Sequence, residues 1–216
     1  MKNFQTRLLQ MVLILLPFGL QSQEIPFTLK YGGFTVKEKI TILSADIQRL
    51  KTVKSFNAIM EIENMRIGNT KHEPDSVYIQ RRVSELNAKG KSMGDEWLRE
   101  WEDSKPNYLP VFIEGYNAKI SRSRVPKIVI DESSAFTIVL RPDTITIGNK
   151  WMASFLSMHL YIVSSKNQTD TIASFKSFTV NNRDMSKQYP GSEESAFCMA
   201  GEMLAKYFKE YMYKSK

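Results

Sequence analysis

From Ala135 to Val180 the chain repeats apolar and polar residues with a period of two, and this pattern admits few folds. Phe136, Ile138 and Leu140 alternate with Thr137, Val139 and Arg141. Met152, Leu156, Met158, Leu160 and Ile162 alternate with Phe155, Ser157, His159, Tyr161 and Val163. Ile172, Phe178 and Val180 oppose Ala173, Phe175 and Thr179. A strand places successive side chains on opposite faces, so each run predicts a strand with one apolar face. Pro142 cannot donate to a ladder and predicts an interruption, a bulge or an edge, with Asp143–Ile147 resuming the pattern. The polar run Ser164–Asp170 predicts a hairpin loop. One apolar and one mixed face predict an antiparallel sheet packed on one side.

A covering layer follows. Ser192 is a candidate N-cap, with Glu193 and Glu194 at the positive end of the helix dipole. Ala196, Met199, Ala200, Met203, Tyr207 and Tyr211 then fall on one helical stripe, widened by Leu204 and Phe208. Glu202–Lys206 and Glu210–Lys214 are spaced as i,i+4 pairs, each worth about 0.3 kcal/mol.

Upstream, Met1–Ser22 reads as a secretory signal. Lys2 and Arg7 precede the apolar stretch Leu8–Leu20, and small Ser22 offers a cleavage point. The stretch is shorter than the roughly 20 apolar residues that span a bilayer. No cysteine stands near the cleavage point to carry a lipid anchor. The expectation is an exported protein, periplasmic or secreted, with no transmembrane segment after cleavage. Residues 23–216 suit a single domain large enough to bury a core without disulfides or metal.

Loss of Lys2 and Arg7 leaves 28 basic residues against 23 acidic ones, a balance of +5. Arg122, Arg124 and Lys127 form the one notable basic cluster, suited to an anionic surface or to a solvated connector. Export without a recognition motif argues against nucleic acid. Cys198, the single cysteine, lies in the apolar part of the last helix and reads as a core residue; no base is specified for it as a nucleophile.

Glu24–Leu43 alternates loosely around Gly32-Gly33 and predicts one or two short strands at a sheet edge. Ser44–Val53 fits a short helix or a loop. Phe56–Ile67 predicts a strand, with Glu61 and Glu63 on one face as a possible acid/base or cation-binding pair, or as a solvated edge. Glu73–Lys89 predicts a helix with Val77, Val83 and Leu86 inward, interrupted by Gly90 and Gly94. Asp95–Glu102 adds a turn or two, grouping Trp97, Leu98 and Trp101 as core or as a carbohydrate-stacking platform. Another helix follows Pro110, with Phe112, Ile113, Tyr116 and Ile120 apolar, and Lys127–Ile130 predicts a strand leading into the sheet. The order of strands, helices, strands and helix indicates an α+β fold: a mixed, largely antiparallel sheet backed by helices, with a C-terminal amphipathic helix.

Four segments, GKSMGDEWLREWEDSKPNYLPVF, SAFTIVLRPDTITIGN, ASFLSMHLYIVSSKNQTDTIASF and AGEMLAKYFKEYM, together resemble a family of exported proteins of Bacteroidota. The resemblance covers Phe56 to the C-terminus. In outline it is similar to helix-backed envelope domains such as the amino-terminal domain of TolB and the lipoprotein activators of peptidoglycan synthases. It implies partner binding rather than chemistry and carries over no active residues. Exported proteins of Bacteroidota are O-glycosylated at Asp-Ser/Thr-apolar triplets. Three occur here, at Ser76, Thr144 and Thr171, and Thr171 is the best placed if it stands at a loop tip.

His72 and His159 sit in no metal-binding spacing, and no GxSxG elbow, phosphate-binding loop or dinucleotide fingerprint occurs. No catalytic, cofactor or metal residue is assigned. Two functions are carried forward: a non-enzymatic adaptor for an envelope protein or a peptidoglycan or other glycan surface, and a carboxylate-dependent glycan hydrolase using Glu61, Glu63 or the acids of Asp95–Glu102. N-terminal sequencing of protein from the native host should begin at Gln23. Its intact mass tests the triplets: the bare mass of residues 23–216 would show that none is glycosylated.

Overall fold

The computed structural model describes residues 23–31, 34–68, 71–121, 123–147, 154–182 and 192–213. Met1–Ser22 and its expected cleavage lie outside these residues.

In chain order the elements are β1 (Gln23–Tyr31), β2 (Phe34–Ala45), α1 (Ile47–Leu50), β3 (Ser55–Met60), β4 (Arg66–Ile67) and β5 (Glu73–Pro74). Then come α2 (Asp75–Asn87), α3 (Met93–Ser104), a 3-10 turn (Lys105–Asn107), α4 (Tyr108–Ile120) and β6 (Lys127–Ile128). The chain continues with β7 (Phe136–Thr146), β8 (Ser154–Ser164), β9 (Asn167–Asn182) and α5 (Ser192–Tyr207), which closes in a π-turn, Phe208–Met212. The strands form one mixed sheet in the order β1-β2-β9-β8-β7-β3-β6, with β4 beside β7 and β5 beside β4. Pairing is antiparallel from β1 to β8 and across β7, whereas β3 runs parallel to β7 and β6. This is the expected α+β architecture with its C-terminal helix.

Register explains the core. Met60, Leu140, Leu160, Phe175 and Ile42 stand level across five strands, and Ala58, Ile138, Ile162, Ala173 and Ala45 form the next row. These rows face α4 and α5. Phe208 packs on Phe56 at 5.7 Å between ring centroids, and Tyr207 meets Phe175 edge-on at 5.6 Å. Full burial of a side chain of this size contributes about 2–3 kcal/mol.

Several expectations are corrected in detail. The strand expected over Phe56–Ile67 stops at Met60, because the chain turns through Asn64 before the short β4. The hairpin between β8 and β9 turns on Ser165-Lys166 alone, so Asn167–Asp170 and Thr171 belong to β9 and Thr171 stands at no loop tip. Val77 is exposed, since α2 turns Tyr78 and Ile79 inward. Gly94 lies inside α3 rather than breaking it, with its N–H donating to Asn87 Oδ1 at 2.7 Å. Pro110 sits in the first turn of α4, where its missing N–H costs no helical bond. Lys127–Ile130 contributes only two residues of strand, at the sheet edge rather than beside β7. Glu202 pairs with Lys119 of α4, and Lys206 with Glu210. Cys198 is half-buried where α5 meets α4.

Both outer edges of the sheet are blunted. β1 is the outer strand, and Pro26 within it has no N–H to offer a further strand. At the other edge Ile128 turns its backbone outward, and Asn117 of α4 covers it. The Asn117 Nδ2 donates to the Ile128 carbonyl at 2.7 Å, and Oδ1 accepts from the Ile128 N–H at 3.0 Å. Such devices deny a second chain a template for pairing.

The helical layer depends on close approach. A Cβ at Gly201 would lie 2.1 Å from the Phe112 carbonyl oxygen, and one at Gly115 would lie 2.2 Å from the Cys198 carbonyl oxygen. On helix propensity alone, Gly201→Ala would stabilise by about 1 kcal/mol. The clash is with backbone and should win, giving a net loss of about 2–3 kcal/mol, measurable by urea unfolding.

Candidate functional site

The helices cover one face of the sheet. On the other face Asn57, Ile59, Arg141, Ser157, His159 and Tyr161 are half-buried or exposed above small, buried Thr137, Val139 and Val163. This arrangement follows from period-two alternation: the same strands that bury Leu140, Leu160 and Ile162 must turn their remaining side chains away from the helices.

His159 stands where both of its neighbouring ladders are irregular. On one side the β7–β8 register shifts between Pro142 and Thr144, leaving Asp143 as an extra residue. On the other side Met158 faces Phe178 and Leu160 faces Phe175, so two β9 residues, 176 and 177, stand against His159 alone. Bulges re-aim side chains and concentrate beside functional sites. Here the first bulge has a direct effect. Asp143 reaches across the strand pair to His159, with its carboxylate oxygens 2.7 and 2.8 Å from Nδ1.

A carboxylate only accepts hydrogen bonds, so Nδ1 carries a proton in this pair. Arg141 lies directly across β7–β8 from His159 and donates to Glu61, which follows β3. Its guanidinium also lies over the Tyr161 ring, 5.0 Å from the centroid. Tyr161 in turn lies nearly parallel to His159, at 6.4 Å and 17°. The hydrogen bond from Arg141 to Glu61 raises the guanidinium above its ordinary value, against a smaller opposing effect of burial. Glu61, Arg141, Tyr161, His159 and Asp143 thus form one chain of contacts across three strands.

The acids considered as hydrolytic pairs do not assemble in this way. Glu61 is held in the ion pair with Arg141, and Glu63 is exposed in the turn after β3 rather than on a strand face. Asp95, Glu96 and Glu100 are exposed on α3, and Glu102 pairs with Lys105. The Trp97 and Trp101 rings are buried and stacked on each other at 5.8 Å, so they are core and offer no stacking platform. His72 is exposed and only 3.5 Å from Thr146 Oγ1, on a different part of the sheet from His159. Among the described residues no group of three His, Cys, Asp or Glu could hold a metal ion. No described helix is long and apolar enough to cross a membrane.

Sequence reasoning noticed His159 and the proline bulge separately. It did not bring Asp143, Arg141 or Tyr161 to His159. Pro142 was the available signal for irregular pairing, and period-two alternation from Arg141 puts Asp143 on the face that His159 occupies.

No family model and no curated protein matches the chain. Among solved structures, the chain is similar to a PelC dodecamer subunit from Paraburkholderia phytofirmans, with 6% identity and a TM-score of 0.38, covering 82% of this chain and 98% of that one. A substituted form of that dodecamer gives 10% identity and a TM-score of 0.36, covering 77% and 93%.

The pairing fixes the imidazole tautomer, which nitrogen NMR reads directly. At neutral or higher pH, wild-type His159 should show the proton on Nδ1, and Asp143→Ala should shift it towards Nε2. The variant should lose no more than about 1 kcal/mol of stability, because the pair is partly exposed to solvent.

Proposed function

We propose that this chain is a non-enzymatic binding module of the cell envelope, and that the uncovered sheet face around His159 receives its partner. The observation that carries this reading is the double irregularity around His159. The β8–β9 ladder shifts at His159 and the β7–β8 ladder shifts next to it, opposite Met158 and Ser157, and the face there bears an aromatic, cationic and hydrogen-bonding surface rather than a plain polar one. Arginine and tyrosine are the residue types that concentrate binding energy in protein interfaces. An envelope protein is therefore the favoured partner, with a peptidoglycan or other glycan surface as the alternative.

The signal-like segment Met1–Ser22 supports export, to the periplasm or the medium. The hydrolase reading has less support. It needs two carboxyl groups about 5 Å or about 6.5–9.5 Å apart across a substrate, while Glu61 is committed to Arg141 and the α3 acids point into solvent.

A photo-cross-linking residue at Ser157, on the uncovered face, should capture one discrete protein in the native envelope. The same residue at Ser84, exposed on α2, should capture none. Equal capture at both positions, or none at either, would refute the reading. Capture of muramidase-sensitive material at Ser157 would move the partner to peptidoglycan.

A further inference from the structure

A second feature lies at the end of the molecule where β3 and β6 begin. These strands are parallel and start level, with Ser55 opposite Lys127. The loops leading into them therefore emerge side by side. One carries Lys51 and Lys54, and the other carries Arg124 and leads into Lys127. All four side chains are exposed, and none forms an ion pair among the described residues. By contrast Arg49, Arg81, Arg82, Lys105, Lys119, Arg141 and Lys206 are each matched to a carboxylate.

The two cationic loops are held rather than loose. Buried Tyr116 donates to the Pro126 carbonyl at 3.0 Å, and Tyr213 donates to the Leu50 carbonyl at 2.6 Å. Burial pushes both phenols well above their usual value, so both remain donors at physiological pH. The local acids are few. Asp131 is turned onto Ser133, accepting from its N–H and hydroxyl, and Glu132 is exposed. An apolar group follows the cations in the chain: Ile130, three residues after Lys127, is 74% exposed. It is the most exposed large apolar side chain among the described residues.

We propose that this end of the molecule rests on an anionic lipid surface. Lys51, Lys54, Arg124 and Lys127 would face the headgroups, and Ile130 would enter the interfacial layer. Positive charge that outweighs its few local acids is attracted to an anionic leaflet, and an exposed aliphatic side chain close in sequence to the cations distinguishes such a surface from a purely polyanionic ligand. The cationic loops are already fixed in place, so little conformational entropy opposes docking. The inference rests on the charge and exposure of these residues and not on the binding role proposed for His159.

The test is co-sedimentation of the chain spanning residues 23–216 with phosphatidylcholine vesicles containing or lacking 30% phosphatidylglycerol. Binding should require the anionic lipid and weaken strongly with salt, since screening lengths fall from about 10 Å at 0.1 M to about 3 Å at 1 M. Lys54→Glu with Lys127→Glu should lower partitioning by at least about 25-fold, at roughly fivefold per lost cation. Lys51→Gln with Arg124→Gln should act in the same direction. Ile130→Ser should weaken binding in a manner that salt does not mimic. Lys89→Glu with Lys91→Glu, exposed between α2 and α3, should leave binding unchanged. Thermal melts confirm that each variant is folded. Equal binding to neutral vesicles, no binding to either, or an equal loss in the Lys89/Lys91 variant would overturn the proposal. Retention on a sulfated polysaccharide without vesicle binding would also overturn it, in favour of an anionic glycan.

Discussion

Two backbone contacts between α4 and α5 set the dimensions of the helical layer. Gly201 lies against the Phe112 carbonyl, and Gly115 lies against the Cys198 carbonyl. The reciprocal arrangement leaves no room for a methyl group at either crossing point. Close approach lets a single pair of helices cover the sheet while Phe112, Tyr116, Phe197 and Phe208 are still fully buried. It also explains why α5 is apolar around more of its circumference than one stripe. Tyr207 and Phe208 meet sheet residue Phe175, while Phe197 stacks on Tyr108 of α4 at 4.4 Å.

Covering one face leaves the other available. A sheet in a two-layer α+β domain turns half of its side chains away from the helices. Here the centre of that half is small and buried, with Val139 and Val163 at its floor, and its rim is polar and aromatic. The bulge at Asp143 and the extra β9 residue opposite His159 make this region locally irregular. Each irregularity gives up ladder hydrogen bonds, and in return the surface gains a fixed imidazole and a cation held between a carboxylate and a ring.

The sheet edges are managed differently from the faces. Pro26 has no N–H to offer a further strand beside β1, and Asn117 occupies both outward groups of Ile128 on β6. Blunted edges offer a second chain no backbone template for pairing.

The period-two runs, the 3.6-residue stripe after Ser192 and the order of strand and helix patterns indicate an α+β fold with a sheet covered on one side, because these features depend only on local geometry. Pro142 likewise announced a bulge. Cross-strand register was beyond reach from the sequence, since it depends on which rows of side chains pack together under α4 and α5. Register places Asp143 and Arg141 beside His159, and it separates Glu61 from Glu63 by ending β3 at Met60. The burial of Trp97 and Trp101 was equally a tertiary outcome: helical spacing groups such rings, but only packing against the neighbouring elements determines whether the group faces inward or outward. Local pattern therefore determined the elements and their apolar faces, and long-range packing decided the site, because every contact within it joins residues that only the assembled sheet brings together.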